Sequence, residues 1–183
     1  MRFFKSNRMG GSVAILVASA LALAPAAAQA GSGGMGPDSN DPAPTVPGGK
    51  AKLVKGVAYA PSSAPQAVKD IIAAANKIRN KPYVYGGGHG SFQDKGYDCS
   101  GAVSYALHGA DLLSTPLDSG SLAKWGERGG GQWVSVYGAR SHAYMVVAGL
   151  RFDTSMTPGN GPGWSKSMRS TTESYKVRHP KGL

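Results

Sequence analysis

Residues Lys81–Gly109 read KPYVYGGGHGSFQDKGYDCSGAVSYALHG, and this stretch decides the fold. It holds the only cysteine of the 183-residue chain, Cys99, preceded by Asp98 and followed by Ser100 and Gly101. Upstream, Tyr83-Val84-Tyr85 runs into three glycines, Gly86 to Gly88, and a polar loop. Downstream, Ala102, Val103, Ala106 and Leu107 recur at helical spacing until Gly109, a good helix terminator. The reading is strand, Gly-rich loop, then helix, with Asp98 as N-cap and Cys99 in the first turn. At that place free backbone N–H groups and the positive end of the helix dipole favour a thiolate, and they would equally favour a tetrahedral oxyanion formed beside it. Cys99, Val103, Ala106 and Ala110 also fall roughly on one helical stripe, so a cysteine that only packs accounts for the same pattern.

The N-terminus bears on that choice. Arg2, Lys5 and Arg8 form a basic region, Val13 to Leu23 is apolar, and Ala28-Gln29-Ala30 matches a small-x-small cleavage site. No acidic residue precedes Asp38. Residues 1–30 are expected to be a secretory signal peptide cleaved after Ala30, since the apolar run is too short to span a bilayer; an uncleaved anchor is the alternative. In an exported protein a single cysteine can form no intramolecular disulfide, so the fold relies on its core. A lone thiol outside the cytoplasm is also open to oxidation, which favours a functional cysteine over a passenger.

The formal charge of +10 includes the three leader cations, which leaves +7 (10 − 3) on the mature chain. A basic exported protein is drawn to anionic surfaces such as wall polymers, lipid headgroups or nucleic acid. Here the cations are scattered, from Lys50 and Lys52 to Arg169 and Arg178, with no dense block and no nucleic-acid motif. Plain solubility explains them equally well. Anionic cell-wall polymers remain candidate partners, nucleic acid is not expected, and the expected state is a monomer.

Residues 31–60 are expected to form a Gly/Pro-rich flexible linker. Gly31–Lys50 has no apolar period, and Leu53–Tyr59 is ambiguous between edge strand and linker. The folded domain is then 61–183. Ser62 or Ser63 offers an N-cap ahead of Pro65, and Val68, Ile71, Ile72, Ala75 and Ile78 make an amphipathic helix ending near Asn80. Beyond Gly109, residues 111–120 read as loop, 121–125 as a brief helical turn and 126–131 as loop. Gln132–Tyr137 and Ser174–His179 read as strands, and the Gly/Pro-rich 156–164 as irregular.

Residues 141–155 suggest a β-hairpin turning at Ala148-Gly149. With an even loop, Tyr144 pairs with Asp153, and alternation fixes both faces. Ala143, Met145, Val147, Leu150, Phe152 and Thr154 form the core side; His142, Tyr144, Val146, Arg151, Asp153 and Ser155 form the other. His142 and Asp153 are then diagonal cross-strand neighbours, close enough to touch. A base and its orienting carboxylate require that arrangement, although a surface histidine and a turn aspartate would give the same sequence. His89 lies in the Gly-rich loop, where lining a cleft is its one functional reading, while His108 sits at a helix C-terminus and His179 near the chain end. No pair has zinc-site spacing, so neither a metal nor another cofactor is expected.

PYVYGG, then DCSG opening a helix, then a strand beginning SHAYMVV, together resemble the NlpC-type cell-wall cysteine peptidases, over roughly Val68 to Asp153. The resemblance implies an α+β, papain-like domain with the nucleophile-bearing helix packed on a small antiparallel sheet. It implies hydrolysis of peptide bonds in peptidoglycan stem peptides, commonly between D-glutamate and a diamino acid. Cys99 would be the nucleophile, His142 the base, Asp153 the third polar residue and Tyr83 an oxyanion ligand. Gly129–Arg140 lacks the family's usual Gly-Asp pair, and Asp is not its commonest third residue. A catalytically inactive wall-binding relative and a Cys-His amidase or acyltransferase are the alternatives.

Overall fold

The computed structural model describes residues 44–155, 161–170 and 174–183. The expected signal peptide and the first part of the expected linker lie outside these residues. From Thr45 onward the segment expected as linker holds three strands: β1 (Thr45–Val46), β2 (Lys52–Val54) and β3 (Val57–Pro61) form a sheet in the order β1-β3-β2. Leu53–Tyr59, ambiguous in sequence, is therefore hairpin, turning through Lys55 and Gly56, both at positive φ. Ala58 and Ala60 point inward and join the core.

Helix α1 (Gln66–Ile78) follows, with Val68, Ile71, Ile72, Ala75 and Ile78 buried as the periodicity required. Its N-cap is Pro65, with no side-chain cap, and not Ser62 or Ser63. The fixed φ of proline starts the helix in place of a capping hydroxyl. Helix α2 (Cys99–His108) packs on α1 and is buried from Cys99 to Leu107. Gly109 follows α2 because a Cβ there would sit 2.3 Å from the Ala74 Cβ of α1. A short α3 (Ser119–Leu122) is capped by Asp118, two residues earlier than its apolar pattern indicated.

The main sheet has the order β4-β9-β5-β6-β7-β8, antiparallel throughout, with β4 (Glu127–Arg128), β5 (Val134–Gly138), β6 (Ala143–Val147), β7 (Leu150–Asp153), β8 (Gly163–Ser165) and β9 (Lys176–His179). Strand β8 lies in the Gly/Pro-rich stretch read as irregular; Trp164 supplies its anchor, packed at 4.9 Å on Phe152. The β6–β7 register pairs Val147 with Leu150 and Met145 with Phe152, as an even two-residue loop demands. Ala148 and Gly149 both have positive φ, the type I′ geometry whose twist matches the strands. Ala143, Met145, Val147, Leu150 and Phe152 are almost wholly buried. Helix α2 packs against β6 and β7, which brings the Cys99 end of the helix to the His142 end of the hairpin.

Candidate active site

Asp98 organises the start of α2. Its Oδ1 accepts from the N–H of Gly101 at 2.7 Å and from Ser100 Oγ at 3.1 Å, and lies 3.0 Å from His89 Nε2. Its Oδ2 accepts from the Gly86 N–H at 3.1 Å, tying the Gly-rich loop to the helix. That loop lies directly on the helix: a Cβ on Gly101 would come 2.0 Å from the Gly87 carbonyl oxygen. Only glycine admits the contact, which gives a physical reason for the glycine after Asp-Cys-Ser. His89 is thus engaged with Asp98 and Ser100.

Cys99 is the first residue of the helix and is a free cysteine. It lies near enough to His142 to raise the imidazole's pKa, and His142 Nε2 lies 3.0 Å from Asp153 Oδ1. Asp153 engages Nε2, which leaves Nδ1 as the ring nitrogen available to Cys99. Burial disfavours the imidazolium, but hydrogen bonding and Coulombic interaction with Asp153 and Cys99 outweigh it and raise the His142 pKa to about 9. Burial likewise opposes the Asp153 carboxylate, yet bonding to His142 and the charges of His142 and Arg169 hold it down to about 2. The imidazole thus lies between the buried Asp153 carboxylate and Cys99.

Tyr83 is 40 % exposed and is not part of the core. Its partial burial raises its pKa, and so does its nearness to Cys99 and Asp98. Tyr83, Val84 and Tyr85 form no strand; Tyr83 makes a single parallel bridge to Tyr97, leaving an exposed aromatic edge beside the cysteine. All four residues singled out in sequence, Cys99, His142, Asp153 and Tyr83, thus meet at one place.

Three neighbours were not singled out. Arg169 Nη1 donates to Asp153 Oδ2 at 2.9 Å and to Ser155 Oγ at 3.0 Å. Tyr175 stands edge-on to His142 at 6.4 Å and to Tyr144 at 5.1 Å, and Tyr137 stacks on Tyr144 at 4.5 Å. These aromatics wall the polar face of the hairpin, opposite its core side. Arg169 and Tyr175 come from the segment after β8, and no local pattern marks them. Among the described residues no group of three or more His, Cys, Asp or Glu is placed to hold a metal ion. His108 stacks on Phe92 at 3.8 Å and bonds the Leu113 carbonyl, and His179 pairs with Glu127.

No protein-family model matches the sequence, and no curated protein is significantly similar to it. Solved structures do match. The peptidoglycan hydrolase RipB of Mycobacterium tuberculosis is 22 % identical with a TM-score of 0.50, over 62 % of this chain and 64 % of its own. The match thus spans less than two thirds of that protein. RipD of the same organism, described as a non-catalytic NlpC/p60 domain protein adapted to peptidoglycan binding, is 21 % identical with a TM-score of 0.49, over 63 % of this chain and 98 % of its own. A hypothetical invasion protein of M. tuberculosis is 24 % identical with a TM-score of 0.48, over 62 % of each chain. The chain has an NlpC/p60-type fold, α+β in the papain manner, with Cys99 opening the helix that packs on its antiparallel sheet.

Proposed function

We propose that the protein is an exported cysteine peptidase that hydrolyses peptide bonds in peptidoglycan stem peptides, with residues 1–30 as its cleaved leader. The observation that carries the reading is His142 bonded to the buried Asp153 and lying beside Cys99, the residue that opens a buried helix. A site kept only for binding has no need of a thiol paired with an imidazole that a buried carboxylate orients.

The chemistry follows from the geometry. The Cys99 thiolate attacks the scissile carbonyl carbon, and the carbonyl electron pair moves onto oxygen. The resulting oxyanion is met by the Cys99 N–H, one of the first-turn donors that intrahelical bonding leaves unused, and by the Tyr83 hydroxyl. Imidazolium His142 then gives its proton to the leaving amine as the C–N bond breaks, leaving a thioester on Cys99. A water molecule, deprotonated by His142, attacks the thioester; the carboxylic acid leaves and the thiolate–imidazolium pair returns. Asp153 keeps the ring turned and supports its positive charge throughout.

The bond between D-glutamate and a diamino acid is the proposed target. Incubation of the leader-free protein with purified peptidoglycan, followed by mass spectrometry of the released fragments, tests this. Cleavage within the stem supports the proposal. Release of whole stems from the sugar would make the protein an amidase, and retention on intact sacculi would make it a binding module.

A further inference from the structure

The side chain of Asp153 is completely buried, so solvent does not hold the carboxylate oxygen that faces away from His142. That oxygen, Oδ2, receives Arg169 Nη1 at 2.9 Å, while Oδ1 faces His142 Nε2 at 3.0 Å. The same Arg169 nitrogen also reaches Ser155 Oγ at 3.0 Å, so the guanidinium is itself held in place. Among the described residues, groups from several neighbouring elements face this carboxylate and its histidine. They are Cys99 from α2, Tyr144 from β6, Arg151 from β7 with its Nε 3.9 Å from Oδ2, and Tyr175 ahead of β9. Of the two arginines, Arg169 makes the short contact with Asp153.

A carboxylate turns freely about its terminal torsion unless both oxygens are engaged, and that torsion is broad. Fixing one oxygen fixes the other. We infer that Arg169 is a positioning residue for this site: by holding Oδ2 of Asp153 it aims Oδ1 at His142 and so fixes the imidazole that serves Cys99. Arginine suits the task because its planar guanidinium stays charged and binds carboxylates with directed N–H groups. Its charge also helps keep the buried Asp153 ionised. The residue comes from the loop between β8 and β9, so a distant part of the chain sets the geometry of the reacting pair. The inference deepens the proposed function and rests on its Cys99–His142 pair.

Arg169→Gln and Arg169→Lys in the leader-free protein test it with two readouts that need no substrate. One is the downfield proton resonance of a carboxylate-bonded imidazole N–H, assigned to His142 by its loss in His142→Gln. The other is the rate of alkylation by iodoacetamide, which reports Cys99 alone because the chain has one cysteine. Arg169→Gln is expected to abolish the resonance and to slow alkylation at pH 7 by about tenfold, as loss of a partner that orients a reactive histidine does. Arg169→Lys is expected to recover part of both. Wild-type protein without the resonance, or variants that keep it and alkylate within twofold of wild type whatever their Tm, would overturn the inference. Wild-type protein that shows both effects of Arg169 but leaves peptidoglycan intact would instead sink the peptidase reading alone.

Discussion

Gly101→Ala sets two effects against each other, and the structure decides the sign. Alanine inside a helix is favoured over glycine by up to about 1 kcal/mol, so propensity predicts a gain. The added Cβ, however, would lie 2.0 Å from the Gly87 carbonyl oxygen and 3.2 Å from Asp98 Oδ1. The Gly87 carbonyl cannot swing aside freely, because it accepts the Asp98 N–H at 3.2 Å. Overpacking a tight site costs about 1–3 kcal/mol, and loss of a backbone hydrogen bond adds about 1 kcal/mol. The clash therefore wins, with a net loss of about 2 kcal/mol. For a chain of this size that lowers Tm by about 4–8 °C. Thermal denaturation followed by circular dichroism measures it, with Gly90→Ala as the control, since no atom lies within 4 Å of a Cβ there. A Gly101→Ala protein as stable as wild type, or more so, would refute the claim that the Gly-rich loop is pressed onto the start of α2.

Other outcomes follow from the site. His142 should titrate near pH 9 by NMR, and a midpoint near the ordinary 6.5 would contradict the ion-paired arrangement. Because its folded pKa is raised, its stabilising contribution is complete below about pH 6.5 and is lost as pH rises through about 9, so the Tm gap between wild type and His142→Gln should close over that interval. Asp153→Asn should lower kcat on peptidoglycan, by less than His142→Ala does, because a Cys-His pair keeps some reactivity without its third member; unchanged kcat would reduce Asp153 to a structural residue. Tyr83→Phe should lower kcat more than tenfold while KM and Tm stay unchanged, the latter because Tyr83 is 40 % exposed; a loss confined to Tm would assign the residue to packing.

Much of this was legible in the chain because two short-range rules act strongly here. Alternation with a two-residue turn fixed the β6–β7 register, and with it the meeting of His142 and Asp153 on one face. An Asp ahead of an apolar helical run placed Cys99 at a helix N-terminus. Where local pattern and tertiary packing disagree, the sequence misled. The aromatic run Tyr83–Tyr85 has strand propensity but finds one bridge only, because the neighbouring chain at Tyr97 turns at once into α2. The opposite holds for β1, β3 and β8, which form in Pro- and Gly-rich segments because Ala58, Ala60 and Trp164 find core to pack on. Arg169 was invisible for another reason: a cation in a loop acquires meaning only from what it touches, and its partner Asp153 lies 16 residues away across a strand.

In the proposed mechanism Cys99 carries the substrate's acyl group. A soluble stem-peptide fragment mixed with the leader-free protein, quenched in acid within seconds and digested, should yield a Cys99 peptide heavier by the mass of the acyl portion. Alkaline hydroxylamine should remove the added mass, as it does a thioester, and Cys99→Ala should give neither adduct nor product. Cleavage of the fragment that proceeds without any adduct on Cys99, and that survives Cys99→Ala, would contradict a covalent role for Cys99.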